Sequence, residues 1–145
     1  MERKISLVQR RNRRTDYGKS WSIGTALALL LDKNGHDVTV WSIDQAEVEM
    51  LDREREHKSK LPGVKLPQTM KFTNEIQEAI TDQDFMVLAV PSPFTRATAK
   101  KMAPFVKEGQ KIVNVAKGIE ESTLMTLSEQ IEQEIPQADV AVLSG

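Results

Sequence analysis

Two residues stand where they could do chemistry on a nucleotide. Asp44 follows Gly24 by twenty residues, the interval at which an acid beyond a second strand bonds the adenosine ribose of a dinucleotide, the glycine marking close packing of the first helix. The same carboxylate would equally serve as the cap of the helix that follows it, and the sequence leaves the two readings level. Lys117 lies directly before Gly118, at the end of a strand-like run. An ammonium there could meet a phosphate or polarise an oxygen, or be one more surface lysine. Other polar motifs fall short of their chemistry. Gly18-Lys19-Ser20 before a helix has the look of a phosphate-binding loop, but that motif needs a glycine five residues before Gly18, and the position holds Arg13. Ser92 between two prolines reads as a helix cap, with no Gly-x-Ser-x-Gly elbow to make it a nucleophile. His36 and His57 lack the spacing of metal ligands, and no metal site is expected.

The most unusual stretch is residues 9–23. It carries Arg10, Arg11, Arg13, Arg14 and Lys19, and residues 9–21 have a net charge of +4 in a chain whose total is −1. Such a local basic segment raises the chance of a phosphate-rich partner. Arginine-rich segments bind RNA by neutralising phosphates. Here no aromatic interleaves the arginines, and a solvated loop is the plainer reading of a charge run. The 145 residues, 39% hydrophobic, suit one domain with a sizeable core. Absence of cysteine excludes disulfides, thiolate metal sites and cysteine nucleophiles, and fits a cytoplasmic setting. The longest apolar run, residues 26–31, is far too short to span a membrane.

The elements that would position these residues alternate. Residues 4–8 read as a buried strand. Residues 24–31 begin a helix apolar all round, expected to be enclosed on both sides and to end at Gly35. A strand over residues 37–41 leads to a charged helix over residues 45–57, with Val48 and Leu51 inward. Residues 61–67 form a proline- and glycine-punctuated connector. A short strand at residues 70–72 and a helix over residues 74–80 precede residues 85–90, Phe-Met-Val-Leu-Ala-Val, an unbroken apolar run of the kind covered on both faces. A helix capped by Ser92 with Pro93 in its first turn, a strand at residues 111–115, a helix over residues 122–134 with Leu124, Leu127 and Ile131 on one stripe, and a strand at residues 140–143 complete the series. Strand–helix alternation repeated about six times implies an α/β fold with a doubly wound, mainly parallel sheet, a Rossmann-like dinucleotide-binding domain over residues 1–145 with an irregular basic insertion at about residues 9–23. The chain stops just past a buried strand, where ligand loops begin in such folds, and reads as truncated; an exposed apolar face and self-association are expected from that.

Several local sequences resemble the N-terminal domain of the bacterial NAD(P)-dependent glycerol-3-phosphate dehydrogenases. They are Gly24-Thr25-Ala26-Leu27-Ala28, Asn34-Gly35-His36-Asp37-Val38, Leu61-Pro62-Gly63, Leu88-Ala89-Val90-Pro91-Ser92, Ala116-Lys117-Gly118-Ile119-Glu120 and Ala141-Val142-Leu143-Ser144-Gly145, in family order and at family-like spacing. The resemblance implies an oxidoreductase that interconverts sn-glycerol 3-phosphate and dihydroxyacetone phosphate with NAD or NADP, its Rossmann domain followed by an all-helical substrate domain that this chain does not include. It implies cofactor contacts at Ser20, Trp21 and Lys117, which join Gly24 and Asp44, read from their spacing, as candidate cofactor residues, and substrate contacts at Lys117 and at Gly145, the start of the family's Gly-Pro-Ser/Thr loop. No catalytic residue is expected here, since the family's catalytic lysine belongs to the second domain, and little or no turnover is expected of the chain by itself. Ser20-Trp21 resembles part of the family's Gly-Ala-Gly-Ser-Trp-Gly turn, yet sixteen residues run from Gln9 to Gly24 with only Gly18 and Gly24 as glycines. Because Ile43 offers no cation for a 2′-phosphate, any bias is towards NAD. A Rossmann-like scaffold presenting the arginine-rich loop to RNA or another polyanion is the competing reading.

Overall fold

The computed structural model describes residues 3–9, 19–56, 63–90, 92–115 and 123–142, with backbone alone for residue 9 and residues 19–24. Among the described residues six strands form one sheet: β1 (Lys4–Gln9), β2 (Asp37–Trp41), β3 (Lys71–Thr73), β4 (Phe85–Ala89), β5 (Lys111–Asn114) and β6 (Asp139–Val142). Their order is β3-β2-β1-β4-β5-β6, and every pairing is parallel. One row of partners crosses the whole sheet: Phe72, Val40, Leu7, Val87, Val113 and Ala141. The expected doubly wound sheet is what the chain forms.

Among the described residues five α-helices connect the strands: α1 (Lys19–Lys33), α2 (Gln45–Glu54), α3 (Ile76–Ile80), α4 (Thr95–Met102) and α5 (Leu127–Glu134). The period-two alternation of the strands divides the core. Ile5, Leu7, Val38, Val40, Val87 and Ala89 pack with α1 through Ala28 on one face. Val8, Met86, Leu88 and Ile112 pack with α3, α4 and α5 through Ala79, Ile80, Ala99, Met102 and Ile131 on the other. All residues of β4 except Phe85 are buried, which is why its sequence shows no alternation.

Four expectations are corrected. Helix α1 begins at Lys19, five residues before Gly24; an apolar pattern marks where a helix packs and leaves a polar first turn unmarked. Nor is α1 enclosed: Leu30 is 53% exposed, because the helix contacts the sheet through one face only. Ser92 does not cap α4. Ser92–Phe94 is a 3-10 turn, and α4 begins at Thr95 behind Phe94, which makes no side-chain cap bond. Helix α5 begins at Leu127, where Thr126 and Glu129 form a reciprocal capping box. Leu124 therefore lies outside the stripe, 72% exposed.

Two helix ends are fixed by identifiable chemistry. Gly35, at φ 87°, closes α1, with His36 N–H donating to Leu31 O at 3.1 Å and Gly35 N–H to Asp32 O at 3.0 Å, a Schellman closure that needs the left-handed conformation. Helix α2 stops at Glu54, earlier than expected, because Arg55 turns left-handed at φ 55°. Its guanidinium donates to Asp52 Oδ1 at 2.9 Å and to the Pro67 carbonyl at 3.1 Å, and lies 5.2 Å from the centre of the Phe72 ring. The connector is thereby tied to the base of α2.

In the central strand, Ser6 is fully buried and its hydroxyl has no partner among the described residues. A buried polar atom left unpaired costs roughly 1–3 kcal/mol. Ser6→Ala is therefore expected to leave stability unchanged or raise it by up to about 1 kcal/mol in denaturant unfolding; a loss larger than that would mean the hydroxyl is bonded.

Candidate functional site

In a parallel sheet of this order, neighbouring crossovers leave β1 and β4 towards opposite faces, and the loops separate at the carboxyl ends to open a crevice. Described residues that reach this edge include Gln9 at the end of β1, Trp41 to Asp44 after β2, Asn74 after β3, Val90 and Ser92–Phe94 after β4, and Asn114 and Val115 at the end of β5. Asn114 is buried in the same row as Val8 and Leu88. Thr95, the first residue of α4, is fully buried and its Oγ1 has no partner among the described residues.

The β2–α2 turn is the best defined part of this edge. Asp44 has extended backbone and is the N-cap of α2: its Oδ1 accepts from Ala46 N–H at 3.0 Å and Glu47 N–H at 3.3 Å. That is the capping alternative of the sequence, and it also holds the carboxylate rigidly at the end of β2. Asp44-x-x-Glu47 has the form of a capping box, but here a serine is interposed. Asp44 N–H donates to Ser42 Oγ at 3.4 Å, and the Ser42 hydroxyl donates to Glu47 Oε1 at 3.1 Å. Glu47 is only 5% exposed, a buried carboxylate that a reading of α2 as a solvated charged face overlooks; the acid three residues after the cap was the signal for it. Trp41 is anchored by its indole N–H to the Asn74 carbonyl at 3.0 Å, with the Lys101 ammonium 5.9 Å from the ring centre.

At the first strand–helix junction the backbone of α1 carries Ser20 and Trp21 in its first turn and Gly24 as its sixth residue. Ser22 and Ile23 separate Trp21 from Gly24. No acid lies in the first turn of α1, as an anion-binding helix start requires. Lys117, Gly145 and the four arginines at positions 10, 11, 13 and 14 lie outside the described residues. Of the sequence-derived site residues, Asp44 alone has a described side chain.

The opposite edge of the sheet holds a shallow depression of about 320 Å³ lined by Asp32, Gly35, His36, Asp37 and Thr69. Its polar groups are engaged with one another or with backbone, Thr69 Oγ1 donating to Asp32 Oδ1 at 2.7 Å and Arg3 N–H to His36 Nδ1 at 3.2 Å. It sits at the amino ends of the strands, away from the crevice. Among the described residues no group of three or more His, Asp or Glu could hold a metal ion, and no helix is long and apolar enough to cross a membrane.

Comparison with known proteins agrees with this geometry. Residues 19–145 match the family described as the NAD-dependent glycerol-3-phosphate dehydrogenase N-terminus. The chain is 64% identical over 126 residues to the glycerol-3-phosphate dehydrogenase [NAD(P)+] of Agathobacter rectalis, covering 87% of this chain and 37% of that protein. To the enzyme of the same name from Fusobacterium nucleatum it is 48% identical over 124 residues, covering 84% and 37% respectively. The chain thus spans a little over a third of the length of these curated relatives. The crystal structure of glycerol-3-phosphate dehydrogenase from Coxiella burnetii superposes with a TM-score of 0.83 at 25% identity, covering 99% of this chain and 41% of that one. That from Saccharomyces cerevisiae superposes at 0.79 with 19% identity, covering 100% and 42%, a likeness of fold.

The cap geometry sets a measurable cost. Asp44→Ala is expected to destabilise the chain by about 1 kcal/mol, and Asp44→Asn by a few tenths at most, because asparagine retains the accepting oxygen. Equal losses in urea titrations of the two variants would show that Asp44 does not stabilise α2 as a cap.

Proposed function

Because the chain belongs to the NAD-dependent glycerol-3-phosphate dehydrogenase family, matched over its N-terminal part, we propose that it forms the dinucleotide-binding domain of an enzyme that interconverts sn-glycerol 3-phosphate and dihydroxyacetone phosphate. The observation that carries the reading is the strand order β3-β2-β1-β4-β5-β6, with an acid fixed at the end of β2. When bound, the nicotinamide ring supplies the hydride chemistry.

The residues present fit such a group. The start of α1 offers backbone N–H groups with no acid in its first turn to oppose a pyrophosphate. Asp44, held by its own helix cap, is placed to accept from a ribose hydroxyl. The Thr95 hydroxyl, without a partner among the described residues, gives α4 a hydrogen-bonding group at the same sheet edge. Gly24 takes the part of the glycine that lets helix and strand approach, and Ser20 and Trp21 flank the pyrophosphate turn. Lys117 contacts the phosphate-bearing substrate near the cofactor, and Gly145 opens the substrate loop. Hydride acceptance by a carbonyl needs a proton donor as well, and that group lies in the helical domain of the longer enzyme. The one-domain organisation over residues 1–145, a cytoplasmic setting, NAD(P) as cofactor, and self-association through the exposed apolar side chains Leu30 and Val142 belong to the same proposal.

The lengthened junction weakens the site without abolishing the framework. In titration calorimetry the chain is expected to bind reduced dinucleotide, and a variant with residues 9–23 replaced by Gly-Ala-Gly-Ser-Trp to bind at least about tenfold tighter, a gain of about 1.4 kcal/mol. The 145-residue chain by itself is expected to give no dihydroxyacetone-phosphate-dependent oxidation of NADH. Turnover by the purified chain, or no binding even after the turn is restored, would defeat the proposal.

A further inference from the structure

At the amino edge of the sheet, the reversal between α1 and β2 carries a chemistry of its own. Of the four asparagines in the chain, at positions 12, 34, 74 and 114, only Asn34 is followed by glycine. An asparagine side-chain amide is open to attack by the backbone nitrogen of the next residue, which closes a five-membered imide. A Cβ on that next residue hinders the approach, and glycine has none. Asn34 and Gly35 are both exposed, and where a Cβ would stand on Gly35 no atom of a neighbouring element lies within 4 Å. The closed corner withholds the nucleophile all the same. Gly35 N–H donates to Asp32 O at 3.0 Å, Asn34 N–H to Leu30 O at 3.1 Å and His36 N–H to Leu31 O at 3.1 Å, so the nitrogen that would attack has its proton held by the preceding helical turn. Further bonds pin the corner from outside: Asp37 N–H to Arg3 O at 2.9 Å, Arg3 N–H to His36 Nδ1 at 3.2 Å and Thr69 Oγ1 to Asp32 Oδ1 at 2.7 Å. The last two are solvent-exposed, and exposed helix ends open at a fraction of the free energy of global unfolding.

We propose that Asn34-Gly35 is a site of covalent modification, at which asparagine converts to isoaspartate at a rate set by local opening of the α1–β2 corner. The inference is independent of where a dinucleotide binds. In the opened form the Gly35 nitrogen bonds to the Asn34 side-chain carbonyl carbon, the bond from that carbon to the side-chain nitrogen breaks, and ammonia leaves with the amide proton. Water then opens the imide. Attack at the former side-chain carbonyl gives aspartate; attack at the main-chain carbonyl gives isoaspartate, whose backbone runs through the side chain and is one carbon longer. Reclosing the corner does not undo the change. The added carbon shifts Gly35 and His36 out of the register in which they bond Asp32 O and Leu31 O. A new carboxylate also stands at the C-terminal end of α1, the negative end of the helix dipole, in a sequence that already places Asp32 and Asp37 on either side.

The test incubates the intact chain at mildly alkaline pH, once folded and once in urea that unfolds it. Mass spectrometry follows the peptide of residues 34–53, released by tryptic cleavage after Lys33 and Arg53, and an isoaspartyl methyltransferase scores the isoaspartate. The folded chain is expected to convert at Asn34 about ten- to a thousandfold more slowly than the unfolded chain, the span of a local opening. Asn34→Gln, whose longer side chain cannot close the five-membered ring, is expected to stay unmodified with an unchanged urea midpoint. Asn34→Asp carries the new charge on a normal backbone and is expected to unfold at a higher urea concentration than the purified isoaspartyl form. Equal rates in the folded and unfolded chains would show that the corner is no gate. A folded-state rate more than about a thousandfold lower would show that only global unfolding exposes the pair. Either result would overturn the inference, as would conversion of the same peptide in Asn34→Gln or equal urea midpoints for Asn34→Asp and the isoaspartyl form.

Discussion

Everything in this chain depends on the position of β1 in the middle of a parallel sheet. Its residues Ile5 to Val8 pair on one side with β2 and on the other with β4, so both neighbours must run parallel to it, and each must be reached by a crossover. The crossover to β2 carries α1 over one face, and the segments following β4 carry α4 and α5 over the other. Once the two connections leave on opposite faces, their loops diverge at the carboxyl edge. The crevice there follows from topology and needs no special residue to form.

Within that frame of apolar pairing, the turn after β2 gathers a set of local polar interactions. Ser42, Asp44 and Glu47 form a short relay in which the backbone N–H of Asp44, the serine hydroxyl and the Glu47 carboxylate are joined, while the Asp44 side chain closes the first turn of α2. A rigid carboxylate at the end of the second strand is therefore a by-product of starting a helix there. Capping and ligand recognition, alternatives when only the sequence is considered, are compatible uses of one side chain. The cap leaves its charge in place at the sheet edge, where a ribose would arrive.

Much of the fold was legible in the sequence, because burial on two faces leaves a plain trace. The unbroken apolar run of β4, the β-branched β2, the inward Val48 and Leu51 of α2 and the left-handed Gly35 all appear where they were expected. Most of what was misread lay at helix starts. Polar residues such as Lys19 carry no periodic signal, the proline after Ser92 fits a 3-10 turn as well as a first α-helical turn, and Leu124 extends the apolar spacing of α5 although Thr126 and Glu129 cap it later. The candidate site was less legible than the fold. Asp44 could be placed from spacing alone, but the burial of Glu47 depends on the Ser42 hydroxyl reaching back across the turn, a three-dimensional closure that no single spacing announces. Thr95 was missed because the helix start was placed two residues too early.

The central claim is that the dinucleotide binds at the carboxyl edge, over the β1–β4 reversal, and not in the depression at the amino edge. Amide chemical-shift mapping by NMR with NADH decides it most directly. The account predicts that the largest shifts fall on Ser42 to Glu47, Val90, Thr95 and Asn114 to Val115, with Asp32, Gly35, His36 and Thr69 unmoved. Shifts concentrated on the latter four, with the β2–α2 turn silent, would contradict it.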